Sequence, residues 1–134
     1  MRKTLGLMMV LVLGWASLAV ADRPTDHFTT ITKPATATSA QTDTTLWDPA
    51  AGKRIVLMRC TISSWLAQTV ELEDDDGDVV PPLYFESYGI KELGNGYAPI
   101  WEGNVNEVLT YSTSASGHAL SGPATAISCS GYEV

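Results

Sequence analysis

"KRIVLMRCTIS", residues 53–63, is the longest apolar segment beyond the N-terminal run, and its reading decides the fold. Outside that N-terminal run the chain shows no sustained spacing of three and four between apolar residues, so helices are not expected. A turn precedes the segment at "DPAAGK" (48–53), where Pro49 and Gly52 punctuate the chain. Read as a strand, residues 53–63 place Val56, Met58, Cys60 and Ile62 on one face by simple alternation. This is the expected core strand.

Working outward, the same pattern recurs as short β-prone segments divided by turn residues. "TTLW" (44–47) precedes the core strand, and "QTVEL" (68–72) and "DVVPPLYFES" (78–87) follow it. "PIWEG" (99–103), "EVLTYST" (107–113) and "ATAISCSGYEV" (124–134) complete the series. A single helical turn is expected near residues 88–93, ahead of a Gly/Asn-rich loop in "KELGNGYAP" (91–99). Seven or eight short strands at this spacing point to an all-β antiparallel double-sheet sandwich. A jelly roll is the first expectation and an immunoglobulin-like sandwich the second. "TTITKPATATSAQTDTT" (29–45) holds eight threonines and few large apolar side chains. Residues 22–43 are therefore expected as an extended leader or arm, with an edge strand interrupted by Pro34 as the alternative within 29–45, and residues 44–134 as the sandwich.

The first 21 residues are set apart from the fold. Arg2 and Lys3 precede an apolar stretch over 5–18, and Ala19-Val20-Ala21 supplies the small-x-small pattern read by a signal peptidase. The stretch is short for a membrane span, which needs about 20 residues. Cleavage after Ala21 leaves six basic and fifteen acidic residues, a formal charge of −9 over residues 22–134. Such a field repels phosphate backbones and anionic lipid, so neither nucleic acid nor a membrane span is expected of the secreted chain. An extracellular or periplasmic location is the expectation. It also makes a Cys60–Cys129 disulfide the leading reading of the two cysteines. Parity agrees, since Cys60 lies with Ile62, and Cys129 with Ile127, on the apolar side of its strand.

"TTLWDPAAGKRIVL" (44–57), "VEL…DGD" (70–78) and the closing "SGYE" (130–133) resemble small β-sandwich modules of bacteriophage structural and accessory proteins. The resemblance covers roughly the last two-thirds of the chain. It implies a jelly-roll-like, non-enzymatic and often oligomeric module, and it carries no catalytic residues. The function expected is a structural or interaction module that self-assembles or decorates a surface, as a virion-like, filament or cell-surface component.

Chemistry-bearing residues are few. His27 and His118 are the histidines, and no G-x-S-x-G accompanies them. Zinc would require distant residues to converge without a local ligand pair. Glu86, Glu92, Glu102 and Glu107 supply carboxylates for glycoside hydrolysis only if two of them face each other across a cleft. Tyr84, Tyr88, Tyr97 and Trp101, interleaved with glutamates and asparagines, form the candidate glycan-binding platform, because exposed rings stack on sugar faces. Trp47 and Trp65 flank the core strand and read as caps on its two ends.

"ELEDDDGDVVPP" (71–82) offers the candidate cation site at Asp74, Asp76 and Asp78, with calcium the ion that suits oxygen donors. An EF-hand is excluded. With Gly77 at loop position 6, Leu72 and Leu83 fall at positions 1 and 12, where ligands are needed. The simpler expectation is a solvated hairpin tip turning at Asp76-Gly77. No other cofactor is expected.

Overall fold

The computed structural model describes residues 28–114 and 123–134. The expected signal sequence, His27 and His118 lie outside the described residues. Among the described residues ten antiparallel strands make two sheets packed face to face, and there is no helix. In order they are β1 (Ile31–Ala37), β2 (Gln41–Trp47), β3 (Ile55–Ser64), β4 (Gln68–Asp74) and β5 (Gly77–Asp78). Then come β6 (Leu83–Phe85), β7 (Gly89–Leu93), β8 (Trp101–Glu102), β9 (Leu109–Thr113) and β10 (Thr125–Glu133).

One sheet runs β1-β10-β3, with β7 and β8 sharing the far side of β3. The other runs β2-β9-β4, with β5 and β6 sharing the far side of β4. Each sharing pair is one interrupted strand. Pro81 and Pro82 separate β5 from β6, and the Gly/Asn-rich loop separates β7 from β8. Merging them leaves eight strands that alternate between the sheets except at the β4–β5 hairpin, which stays within one sheet, with β10 inserted between β1 and β3 and β9 between β2 and β4. That is the strand order of a jelly roll. The immunoglobulin arrangement keeps its first two strands in one sheet, whereas here β1 and β2 lie in opposite sheets.

Three local expectations are corrected. The Thr-rich stretch enters the sandwich at Ile31, and residues 31–43 supply β1 and the start of β2. Its inward positions are Ile31, Lys33, Ala35 and Ala37, and only Ala37 is fully buried because β1 lies at a sheet edge. Residues 89–93 form a strand, since pairing with β3 supplies partners that a lone helical turn would lack. Within β3, Met58 is an extra residue: Arg59 faces Ser130 but Leu57 faces Gly131. This β-bulge reverses the alternation. Ile55, Leu57, Cys60 and Ile62 therefore enter the core cluster, while Val56 is buried outside it. Gly131 permits the close approach, because a Cβ there would strike the Val56 carbonyl.

Trp47, Val70, Leu72, Leu109, Tyr111 and Ile127 fill the interior with those β3 residues. Full burial of such aliphatic side chains contributes about 1.5–3 kcal/mol each before entropy is counted. Cys60 and Cys129 are directly opposed on β3 and β10 and form a fully buried disulfide across the centre of the first sheet.

Candidate functional site

The acidic segment forms a hairpin, but its tip is Asp75-Asp76, because Asp74 pairs with Gly77 and Glu73 with Asp78. Gly77, at φ 128°, takes the backbone conformation that side chains resist. Asp74 Oδ1 accepts the amides of Asp76 (2.8 Å) and Gly77 (3.0 Å), so this carboxylate caps its own turn. Among the described residues no three His, Cys, Asp or Glu side chains gather as a cation-holding group.

The four aromatics expected as one platform are divided by β7. Tyr84, on the outward face of β6, and Tyr88, just before β7, are 68% and 60% exposed and line one open cleft of about 390 Å³. Tyr97 and Trp101 follow β7, some 17 Å away by strand rise. Tyr97 is 91% exposed and its amide donates to Asn95 Oδ1, while Trp101 packs against the core. Trp65 takes their place beside Tyr88. Its ring is 46% exposed and lies 5.7 Å from the Tyr88 ring at a 57° tilt. The backbone beneath it is pinned, since the Trp65 amide donates to the Ala124 carbonyl and Ser64 Oγ donates to the Leu66 carbonyl at 2.7 Å. Deeper at this end, Gln68 Nε2 donates to Thr125 Oγ1 and Ser64 Oγ.

Trp65 escaped the sequence reading because "SSWLAQ" flanks a core strand just as "TTLW" does. No local signal separates the two, since Ser64 immediately before Trp65 is polar yet fully buried.

At the opposite end a second cleft, of about 460 Å³, opens beside the bulge. Phe28 and Tyr132 stack along it with ring centres 4.6 Å apart. Its Arg59 is already bonded to Glu92 at 2.8 Å.

The carboxylates are mostly engaged. Glu102 stands 3.8 Å from Arg54, and buried Glu107 accepts the Asn104 amide within its own loop. Glu133 accepts the Trp47 indole N–H (2.8 Å) and the Ala50 amide (3.1 Å). The indole hydrogen bond, followed by the Ala50 amide and the charges of Lys33 and Lys53, lowers the Glu133 pKa against the opposing pull of desolvation.

The sheet edges are guarded. Cys60 and Cys129 have Cα atoms 4.1 Å apart, the closeness of a non-hydrogen-bonded pair, so the Cys129 backbone turns toward Lys33 on β1. Pro34, next along, then turns its nitrogen, which carries no hydrogen, to the free edge. On β2 the register slips twice, Asp43 is left-handed at φ 44°, and its amide bonds Ser112 Oγ rather than facing outward for a new strand. Lys33 and Lys91 sit opposite the buried residues Cys129 and Ile62, so both point inward at the sandwich margins. Their ammonium groups lie 5.9 Å from the Trp47 ring and 5.4 Å from the Phe85 ring. Inward charges, prolines and bulges are the devices that prevent edge-to-edge pairing.

Comparison with protein-family models, curated proteins and solved structures gives no match.

Proposed function

We propose that the protein is an extracytoplasmic, non-catalytic interaction module that decorates a surface as a discrete unit. Its contact face is the aromatic end built from Trp65, Tyr84 and Tyr88. The observation that carries this reading is the gathering of three solvent-exposed rings, from the β3–β4 connection, strand β6 and the β6–β7 connection, at one end of the sandwich. Isolated exposed apolar residues are ordinary, but a grouped patch marks a contact surface. The guarded edges support attachment through side chains rather than growth by strand addition. A buried disulfide, at home in oxidising compartments, supports export. The engagement of Glu92, Glu102 and Glu107 in structural contacts, which leaves Glu86 of the four candidate carboxylates without a facing carboxylate among the described residues of the aromatic cleft, supports a binding rather than a hydrolytic role.

The test uses protein produced from the full-length chain, labelled and mixed with intact cells of the producing strain. Wild type is expected to pellet with the cells and to sediment alone as a small discrete species. Trp65→Ala/Tyr88→Ala is expected to stay in the supernatant with an unchanged melting temperature. Pelleting of that variant to the wild-type extent overturns the reading.

A further inference from the structure

We infer that the Trp65–Tyr84–Tyr88 end binds a neutral oligosaccharide of pyranose rings whose hydroxyls are equatorial. This rests on the reading of that end as the contact face and names its ligand. Size favours a small ligand over a protein. Aromatic side chains offer about 150–250 Å² each, so the exposed fractions of these three rings amount to roughly 400 Å². A stable protein interface takes about 800 Å² from each partner. The open cleft beside Tyr84 and Tyr88, about 390 Å³, falls in the range of small-molecule sites.

Chemistry narrows the class. Trp65 and Tyr88 meet at 57° rather than face on face, and both keep much of their ring surface open to solvent. Flat apolar surfaces set beside hydrogen-bonding groups suit a ligand with apolar C–H faces and a hydroxyl perimeter. A pyranose with equatorial hydroxyls has that amphipathic build. Glu86 and Ser87 lie on the wall between the two tyrosines, and Lys91 closes the cleft on the β7 side. The carboxylate accepts from sugar hydroxyls, the serine can do both, and the ammonium donates. Acidic polysaccharides are disfavoured, because residues 22–134 carry a formal charge of −9 and Glu86 stands within the cleft. The contrast with Tyr97 is useful. That ring is the more exposed, yet it stands alone across β7 and has no facing aromatic among the described residues.

The experiment is calorimetric titration of the full-length-derived protein with chitotetraose, cellotetraose and xylotetraose, and with polygalacturonate as the acidic contrast. At least one neutral tetrasaccharide is expected to bind. Trp65→Ala and Tyr88→Ala, each checked by an unchanged melting temperature, are expected to weaken it by about tenfold or more, the loss of about 1.4 kcal/mol. Tyr97→Ala is expected to bind as wild type does. Absence of heat with all three neutral sugars overturns the inference, as does equal weakening by Tyr97→Ala or a preference for polygalacturonate. Cell attachment that is lost in Trp65→Ala/Tyr88→Ala while no sugar binds overturns the glycan but leaves the contact face standing, with a protein as its partner.

Discussion

Trp47 and Trp65 stand at opposite ends of the same sandwich, and their surroundings differ in kind. Trp47 is wholly buried, its indole N–H is bonded to Glu133, and Lys33 lies over its ring. Trp65 has its backbone pinned by Ala124 and Ser64 but leaves nearly half its surface in water, tilted against a still more exposed Tyr88. One tryptophan has every polar and apolar need met inside the chain. The other is held in place without being covered. The difference separates a residue whose contacts maintain the fold from one whose contacts remain to be made by something else.

Substitutions can break this contrast, beginning with the largest effect. Trp47→Ala is expected to cost about 3–5 kcal/mol in chemical denaturation, as for other large-to-small changes in closed cores, and it removes one of the two hydrogen bonds of the Glu133 carboxylate as well. Should the cost fall under about 1 kcal/mol, the Trp47 end is not the anchor described here.

Glu133→Gln sharpens the same end. The folded-state pKa of Glu133 is depressed, so its contribution is present above the ordinary carboxylate pKa and lost as pH falls through the folded value. The variant is expected to be less stable by about 1 kcal/mol at neutral pH and to converge with wild type as the solution is acidified below about pH 4. Melting curves across pH 2–7 check this, and parallel curves would contradict it.

Lys91→Val tests the margin near the aromatic end. Its effect on stability is expected to stay within about 0.5 kcal/mol, while sedimentation shows concentration-dependent association through the unguarded β7 edge. Trp65→Ala, smallest of all in stability, is expected to shift unfolding by no more than about 0.5 kcal/mol. A drop comparable to that of Trp47→Ala would erase the distinction between the two ends.

Much of the framework was readable from alternation and turn chemistry. The strands around residues 53–63, 68–72 and 107–113, the double-sheet arrangement and the Cys60–Cys129 pairing all follow from local pattern and parity. Features set by distant partners were not readable. The bulge at Met58 depends on Gly131 letting β10 approach closely, and no pattern within 53–63 announces it. β1 was legible only as one alternative, an edge strand interrupted by Pro34, because such a strand can be built from threonines and alanines when its neighbour supplies the bulk. Trp47 and Trp65 looked alike for the same reason, since Glu133 lies 86 positions from Trp47. Of the candidate site, Tyr84 and Tyr88 were legible as aromatics near acceptors. Their separation from Tyr97 and Trp101 required knowing that residues 89–93 form a strand.

The Cys60–Cys129 bond joins neighbouring strands that are 69 positions apart in the chain. Any backbone cut between those positions leaves two pieces still linked covalently, through strands paired along most of their length. The bond thus acts as a clasp against proteolytic loss. Limited digestion should yield a nicked protein that keeps its native mass until reductant is added, and only then divides into fragments.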